Sequence, residues 1–270
     1  MFMVKNMKQR VISAIVALII VIPLVILGGY PYYIGVGLLS LIGFMEIIKV
    51  RNRKNIIPNI NVAISLIGYI LLVAFSVVNS TSFLIDYRLL VIVFLLCFVP
   101  LIINNKGKYD VDDAFFLVTS IIFLGVSFRY LIIVRNSNIH YLIYILLTTI
   151  MSDTFAHFFG TRIGRVKLCP NVSPNKTVEG MIGGTIFGTF IPTVYFLTFI
   201  SQSANVFLTI VMSLTLSLIA QFGDLVFSAI KRKYGVKDYG NIMPGHGGVL
   251  DRLDSTIFAI LAFAFFASFF

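Results

Sequence analysis

The sequence predicts an all-α integral membrane protein with about nine transmembrane helices. Hydrophobic residues make up 59% of the 270 residues and charged residues 12%, whereas an ordinary soluble protein is about 45 to 50% apolar. Such a composition on a water-exposed surface would lead to aggregation. The apolar residues also fall in runs of about 20, the length of helix that crosses a hydrocarbon core about 30 Å thick. We therefore expect residues 1–270 to form a single polytopic membrane domain.

Nine apolar runs predict the individual helices. The first run follows Lys5, Lys8 and Arg10 and resembles a signal peptide, but it is long enough to span a membrane and no small-residue cleavage site follows it. We expect it to be retained as the first helix, bent at Pro23. The predicted helices cover residues 11–28, 31–48, 60–79, 86–104, 114–130, 138–158, 180–200, 205–229 and 252–270.

The basic residues predict the orientation of these helices. With the N-terminus in the cytoplasm, only three of the 21 lysines and arginines, Arg88, Arg129 and Arg135, fall on the outer side. Cytoplasmic loops carry an excess of lysine and arginine, so we expect a cytoplasmic N-terminus and, with an odd number of spans, an outer C-terminus. The basic residues lie in short loops between apolar runs, which argues against nucleic acid as a partner. The predicted location is the cell (plasma) membrane, as a multi-pass protein.

The polar residues divide the chain into two parts. Residues 1–150 are apolar helix with basic loops and are predicted to be a helical scaffold. Residues 151–254 contain nearly all the unusual polar residues, and residues 151–270 are predicted to supply the catalytic helices and cytoplasmic loops. Charge is densest at residues 228–254, between two apolar runs. Because an ionised side chain at the bilayer centre costs about 2.5 to 3.5 kcal/mol, this concentration indicates a functional site on the cytoplasmic side.

Three carboxylates near this segment are candidate metal ligands. Asp224 lies inside the eighth apolar run, on the same helical face as Ser228 and Lys231. It is either an aspartate that reaches the interface at a helix end or one that needs a cation beside it. Asp251 and Asp254 open the ninth run on a common face. The macrodipole favours acidic residues in any first helical turn, which accounts for one of these two more readily than for both.

Together these carboxylates predict a site for a hard cation. Mg²⁺ prefers oxygen ligands and commonly binds one or two carboxylates together with substrate phosphates. The two cysteines, Cys97 and Cys169, have neither the spacing of a disulfide framework nor that of a soft-metal site. Asp153, near the end of the sixth run, is placed to complete the acidic cluster. The predicted Mg²⁺ ligands are therefore Asp153, Asp224, Asp251 and Asp254.

The segment PGHGG at residues 244–248 predicts a tight turn before the last helix. Glycine permits positive φ and close backbone approach, and a helix N-terminus presents N–H groups to an anion. Gly247 and Gly248 are therefore predicted to bind substrate, although the same turn could be a plain connection between helices. His246 is placed to contact a phosphate or to move a proton.

Basic side chains next to the carboxylates suit a polyphosphate ligand. Cations beside a metal site neutralise phosphate charge and donate hydrogen bonds to phosphate oxygens. The alternative is that these residues only mark the cytoplasmic side of the membrane. The residues concerned are Lys231, Arg232, Lys237 and Arg252.

A second polar segment, residues 167–180, precedes the seventh predicted helix. Its sequence SPNKT is typical of a turn, and Thr177 is a candidate N-cap. Ser173, Lys176 and Thr177 are predicted to bind substrate, and Glu179 is a further candidate for contact chemistry. A plain loop between two membrane helices is the alternative interpretation.

The pattern over residues 228–254 resembles the signature of the phosphatidate cytidylyltransferases (CDP-diacylglycerol synthases). The resemblance is carried by the stretches SAIKR, KDYG and PGHGGVLDRLD. The upstream stretches SDTFAHFFG and NVSPNKTVEG resemble two further family segments in the expected order. Asn175 and Val178 stand where the family commonly has lysine and tryptophan. The first 150 residues agree with the family only in crossing the membrane repeatedly.

The resemblance implies that CTP and phosphatidate react to give CDP-diacylglycerol and pyrophosphate for phospholipid synthesis. It implies a requirement for Mg²⁺, with a monovalent cation such as K⁺ as its partner. Phosphatidate is already ionised near neutral pH, because the second pKa of a phosphate monoester is about 6. A strong general base is then unnecessary, and His246 is expected to bind phosphate. The implied catalytic residues are Asp224, Lys231, Arg232, His246, Asp251 and Arg252, and the implied substrate-binding residues are Ser173, Lys176, Thr177, Ser228, Lys237, Gly247 and Gly248.

Other functions fit part of this pattern. A CTP-dependent polyprenol kinase or an isoprenoid-lipid cytidylyltransferase would use similar chemistry, and residues 246–254 favour the phosphatidate enzyme over both. A cation transporter would also carry intramembrane carboxylates. Transporters commonly consist of two repeated halves with broken helices, and no repeat is visible in this sequence. A homodimer is expected only because membrane enzymes with one site often pair.

Overall fold

A computed structural model of the chain describes residues 2–78, 86–103, 109–242, 245 and 247–267. In these residues the chain forms nine α-helices and one short two-stranded sheet, which confirms the all-α prediction. The elements are α1 Phe2–Leu27, α2 Gly29–Arg51, α3 Asn59–Val78, α4 Tyr87–Ile103, α5 Val111–Ser137, α6 Ile139–Arg162, β1 Lys167–Cys169, β2 Ser173–Thr177, α7 Val178–Tyr195, α8 Val206–Lys233 and α9 Leu250–Phe266.

Each predicted apolar run corresponds to one of these helices. The helices are longer than the runs at several ends: α1 begins at Phe2, α6 continues to Arg162, and α9 begins at Leu250. The additional residues include polar ones, and a helix continues through them because its backbone hydrogen bonds do not depend on hydropathy. Residues 79, 104 and 268–270 of the predicted runs lie outside the described residues.

Five of the described helices are long and apolar enough to cross a membrane. They are α2, α5, α6, α7 together with the π-helical turn Phe196–Ile200, and α8. Shorter apolar stretches lie in α1, α3 and α4. Large apolar side chains such as Ile19, Phe190 and Phe207 are exposed on the helices. Such surfaces are stable against lipid and not against water, so the chain is a multi-pass membrane protein.

The chain folds into two compact units. The first unit comprises residues Met1–Asn136 and Asp238–Leu250, and the second unit comprises Ser137–Lys237 and Asp251–Phe270. The chain therefore passes from the first unit to the second and back, and it enters the second unit again within α9. The prediction of a single domain, with a scaffold up to residue 150, is not tested by this division and stays a prediction.

Buried polar contacts join the helices of the first unit. The hydroxyl of Tyr69 on α3 donates to the carbonyl of Ser40 on α2 at 3.0 Å, and its ring stacks on that of Phe44. Near the C-terminal end of α2, the Arg51 guanidinium lies 2.7 Å from a carboxylate oxygen of Asp113 on α5. The Asp113 side chain is fully buried. This ion pair fixes the end of α2 against the start of α5.

In the second unit, α7 packs closely against its neighbours because glycines face them. A Cβ atom added to Gly184 or Gly188 would collide with Ser152 on α6. Small residues of this kind let membrane helices approach closely. Next to Gly188, the hydroxyls of Ser152 and Ser217 on α8 lie 2.7 Å apart and hydrogen-bond to each other. Ser152 directly precedes Asp153, so this contact helps to fix where Asp153 lies.

The turn between α1 and α2 is fixed by an arginine from α5. The Arg135 guanidinium donates hydrogen bonds to the carbonyls of Val25 and Ile26, both at 3.0 Å, at the C-terminal end of α1. Two glycines with positive φ follow, Gly28 at 64° and Gly29 at 56°. A Cβ atom at Gly28 would collide with the guanidinium, whereas one at Gly29 would meet no atom within 4 Å.

We predict that Gly28→Ala destabilises the protein more than Gly29→Ala. Both substitutions place a side chain at positive φ, which costs about 1 to 2 kcal/mol, but only the first also displaces Arg135 from the end of α1. Thermal unfolding in detergent should therefore show a larger fall in Tm for Gly28→Ala, with Gly29→Ala as the matched control. Equal shifts in Tm would mean that the Arg135 contact contributes nothing.

Candidate active site

Six charged side chains of the second unit come from four of its elements and form one cluster. We call this group the acid–lysine cluster. Its members are Asp153 on α6, Lys176 on β2, Asp224 and Lys231 on α8, and Asp251 and Asp254 on α9. Every one of them was predicted from the sequence as a metal-binding, catalytic or substrate-binding residue.

Asp224 and Ser228 share one face of α8, as their spacing predicts. The Ser228 hydroxyl donates to a carboxylate oxygen of Asp224 at 3.3 Å. Lys231 lies one turn further on and is buried. This face of α8 therefore presents a carboxylate, a hydroxyl and an ammonium group along two turns of helix.

The cation beside Asp224 is Lys176. The Lys176 ammonium lies 2.6 Å from a carboxylate oxygen of Asp224 and also donates to the carbonyl of Gln221 at 3.4 Å. The side chains of Lys176 and Asp224 are 26% and 28% exposed, so both remain accessible to a ligand. This contact supports the interpretation that an aspartate at this depth needs a cation, and it shows that the cation comes from the β1–β2 hairpin.

Lys231 and Asp251 form a second ion pair between α8 and α9. Their side chains meet at 2.8 Å and are only 11% and 4% exposed. Withdrawing two charges from solvent costs several kcal/mol per ion, which the attraction between them must offset. Removing either partner would leave the other as an uncompensated buried charge, so the pair fixes the first turn of α9 against α8.

The remaining carboxylates lie within electrostatic range of Asp224. Asp224 repels both Asp153 and Asp254, and these two also repel each other, whereas Lys176 attracts Asp153 and Lys231 attracts Asp254. The Ser255 hydroxyl donates to a carboxylate oxygen of Asp153 at 3.3 Å. Sequence reasoning missed Ser255, because its contact depends on how α6 and α9 pack.

The acid–lysine cluster has more acids than bases, and its chemistry suits Mg²⁺. Four carboxylates face two lysines, so the cluster is negative when all six groups are ionised. Within the described parts of the chain, no three His, Cys, Asp or Glu side chains lie close enough to form a complete metal cage. Mg²⁺ rarely uses such a cage, since it is usually held by one or two carboxylates, waters and substrate phosphates. The oxygen donors present therefore fit a Mg²⁺ ion that is shared with a phosphate ligand.

The β1–β2 hairpin holds Lys176 in place. Residues 173–177, which the sequence predicted as a turn, form strand β2 instead, so that prediction is wrong. The strands pair antiparallel, with Lys167 opposite Thr177 and an irregularity between the two registered pairs. The Thr177 hydroxyl accepts a hydrogen bond from the Gly180 amide at 3.1 Å, which confirms Thr177 as the N-cap of α7. Glu179 accepts a hydrogen bond from the Val166 amide, at 3.2 and 3.3 Å from its two oxygens. Substrate binding by Ser173 and Thr177 stays a prediction.

The other predicted cations lie on the surface of the second unit. Arg232, Lys237 and Arg252 are exposed. The Arg232 guanidinium donates to the carbonyls of Val172 at 3.2 Å and Val236 at 3.5 Å, which ties the end of α8 to the hairpin. Whether these three side chains bind phosphate stays a prediction.

The two residues that follow the glycine-rich turn lie in the first unit, and their amides meet a carboxylate that sequence reasoning did not assign. Glu46 on α2 accepts hydrogen bonds from the amides of Val249 and Leu250, both at 3.0 Å. A signal for it was present, since Glu46 is the only acidic residue among the first 85 of the sequence. His246 lies outside the described residues. The predicted roles of His246, Gly247 and Gly248 toward substrate stay predictions.

Comparison with known proteins identifies the family. A model of the cytidylyltransferase family matches residues 8–270. Proteins named phosphatidate cytidylyltransferase are similar over nearly the whole chain: one from Staphylococcus haemolyticus is 37% identical over 255 residues, and one from Staphylococcus aureus is 36% identical over 257 residues. A third, from Staphylococcus saprophyticus, is 36% identical over 259 residues. Each alignment covers 94% of this chain and 96% of the relative. The chain therefore belongs to the cytidylyltransferase family.

Proposed function

We infer that this chain is a nucleotidyltransferase that transfers the cytidylyl group of CTP to phosphatidate. The products are CDP-diacylglycerol, a precursor for phospholipid synthesis, and pyrophosphate. The observation that carries this inference is that relatives named phosphatidate cytidylyltransferase align over 94% of the chain. The family match over residues 8–270 includes every residue of the acid–lysine cluster, whose chemistry suits phosphate ligands.

The reaction joins the phosphate of phosphatidate to the α-phosphate of CTP and releases pyrophosphate. An oxygen of the phosphatidate phosphate forms a bond to the α-phosphorus of CTP, and the bond from that phosphorus to the β-phosphate oxygen breaks. Since the nucleophile is already an anion near neutral pH, no side chain has to remove its proton. The protein must instead bring two anions together and neutralise the charge that moves to the pyrophosphate.

We propose that the carboxylates of the acid–lysine cluster, with Asp224 and Asp251 as the principal ligands, hold Mg²⁺. When bound, Mg²⁺ neutralises phosphate charge and offsets the charge on the leaving pyrophosphate. The excess of acids over lysines leaves room for a second, monovalent cation such as K⁺, which is part of the proposal. Because no three of the described acidic side chains lie close enough to hold one ion together, Asp153 and Asp254 would add negative charge near the ion or replace one of the two principal ligands.

The lysines are proposed to exchange partners when substrate binds. Lys176 and Lys231 lie at 2.6 and 2.8 Å from Asp224 and Asp251. If a carboxylate of either pair served as a metal ligand, its lysine would lose that partner, and the ammonium group would be available to donate to a phosphate oxygen. Without substrate the two ion pairs leave two acids in excess, and a metal–triphosphate would offset this excess with its cation while the lysines bind its phosphates. The exposed Arg232, Lys237 and Arg252 are proposed to hold the outer phosphates.

We further propose the arrangement in the membrane. Nine spans with a cytoplasmic N-terminus and an outer C-terminus agree with the distribution of lysine and arginine. This orientation places the acid–lysine cluster on the cytoplasmic side of the plasma membrane, where CTP is available. We also propose that the protein forms a homodimer and that nucleic acid is not one of its partners.

The names of the relatives favour phosphatidate over an isoprenoid lipid as substrate. Purified protein in detergent should move label from α-³²P-CTP into phosphatidate and release one pyrophosphate per CDP-diacylglycerol. Chelation by EDTA should stop the reaction, and added Mg²⁺ should restore it. Label from α-³²P-CTP in an isoprenoid lipid phosphate but not in phosphatidate would favour the isoprenoid-lipid cytidylyltransferase, and label from γ-³²P-CTP in polyprenol would favour the polyprenol kinase. No label from α-³²P-CTP in any lipid would refute the assignment.

We predict that Asp251→Asn lowers kcat by at least about a hundredfold, since loss of one group that stabilises transition-state charge costs about 10² to 10³ in rate. Asp113→Asn is a matched control, because it also neutralises a buried carboxylate that is paired with a base. It should keep kcat near the wild-type value per folded molecule. Equal losses of kcat in the two variants would contradict a specific role for Asp251.

We also predict that Lys176→Met raises KM for CTP by at least about tenfold while changing Tm little. The Lys176–Asp224 pair is partly exposed, and such pairs contribute about 1 kcal/mol or less to stability, so the loss should appear in substrate binding. Lys167→Met is the control, since Lys167 is an exposed lysine on the partner strand of the same hairpin. Steady-state kinetics that show the same KM for both variants would refute a role for Lys176 in binding CTP.

A further inference from the structure

Glu46 has the geometry of a residue that holds the start of α9 in place. It is 5% exposed, and its Oε1 and Oε2 atoms accept hydrogen bonds from the amides of Val249 and Leu250, both at 3.0 Å. Leu250 is the first residue of α9. The first amides of a helix have no partner within the helix, and a carboxylate that takes two of them forms charge-assisted bonds with a favourable interaction with the helix dipole.

Two glycines make room for this carboxylate. A Cβ atom added to Gly240 or to Gly248 would collide with Oε1 of Glu46. Neither glycine is among those with positive φ, so the space that Glu46 occupies, and not the backbone conformation, requires glycine at these positions. The sequence separates these residues by about 200 positions, yet Glu46, Gly240 and Gly248 form one packed group in the first unit.

We propose that Glu46 is a positioning residue for the reaction: its carboxylate fixes the start of α9 and thereby the placement of Asp251. Asp251 is bonded directly to Leu250, so the amide that Glu46 holds is one peptide unit from the proposed metal ligand. The proposal rests on the proposed function for its catalytic part. Its structural part, the hold on the two amides, stands by itself.

The contact between Glu46 and the two amides holds the start of α9 in a fixed position. A buried carboxylate cannot be left without donors, because an unsatisfied buried charge is costly. Glu46 and the two amides therefore stay together or the region rearranges. A helix start that is held in this way changes little when substrate binds, and catalytic groups must lie within about 0.5 Å of the productive geometry.

The first test compares Glu46→Gln with Asp113→Asn in the full-length protein in detergent. Glutamine keeps the size of the side chain but turns an N–H₂ group toward one of the two amides. Hydrogen exchange of the Val249 and Leu250 amides should become about tenfold faster or more in Glu46→Gln, with kcat lowered by a similar factor and KM for CTP nearly unchanged. Asp113→Asn should leave exchange at these two amides as in the wild type.

The outcomes of this test separate the two proposals. Unchanged exchange at Val249 and Leu250 in Glu46→Gln would overturn the contact. Faster exchange with wild-type kcat would overturn the positioning role. If the wild type failed to make CDP-diacylglycerol, the proposed function would fail, while the exchange measurement would still decide whether Glu46 holds the start of α9.

The second test asks why Gly248 has to be glycine. If the space of Glu46 is the reason, Gly248→Ala should lower kcat about tenfold or more in the wild type but change it less than about twofold in a Glu46→Ala background, since residues in contact are not additive. In an Asp113→Asn background the loss should be as large as in the wild type. An equal loss in all three backgrounds would show that Gly248 acts through direct approach of the substrate, and it would overturn the link to Glu46.

Discussion

The structure depends on one constraint: a charge inside or near the hydrocarbon must have a partner close by. An ionised side chain without one costs several kcal/mol, and the free energy that keeps a protein folded is only about 5 to 15 kcal/mol. The protein meets this constraint with the buried ion pairs Arg51–Asp113 and Lys231–Asp251, whereas the Lys176–Asp224 pair is partly exposed and contributes less to stability. Backbone amides are the partners of the Glu46 carboxylate, and backbone carbonyls are the partners of the Arg135 guanidinium.

The same constraint explains why a site for phosphates can be built here. Two of the four carboxylates in the acid–lysine cluster are paired with its two lysines. The other two carboxylates leave an excess of negative charge, which a divalent cation would neutralise. A metal–triphosphate brings both the cation and anions that the lysines can bind in exchange for their carboxylates. The partial exposure of Lys176 and Asp224, compared with the burial of Lys231 and Asp251, indicates that the first pair is the more accessible to CTP.

Local patterns in the sequence predicted the features that depend on neighbouring residues. The nine apolar runs, the face shared by Asp224 and Ser228, and the N-cap at Thr177 are all confirmed, because each involves residues within a few positions of one another. The contacts of Lys176 with Asp224, of Ser255 with Asp153 and of Glu46 with Val249 were not predicted. They join residues 48, 102 and 203 positions apart, and only the packing of the helices brings such residues together.

The central claim is that the acid–lysine cluster binds a divalent cation together with the nucleotide. Equilibrium binding of Mn²⁺, a paramagnetic substitute for Mg²⁺, can be followed by electron paramagnetic resonance with a CTP analogue that cannot release pyrophosphate. The account predicts that the wild type binds Mn²⁺ much more tightly when the analogue is present, and that a variant carrying both Asp224→Asn and Asp251→Asn loses this gain. Equal Mn²⁺ binding by the wild type and the double variant in the presence of the analogue would contradict the account.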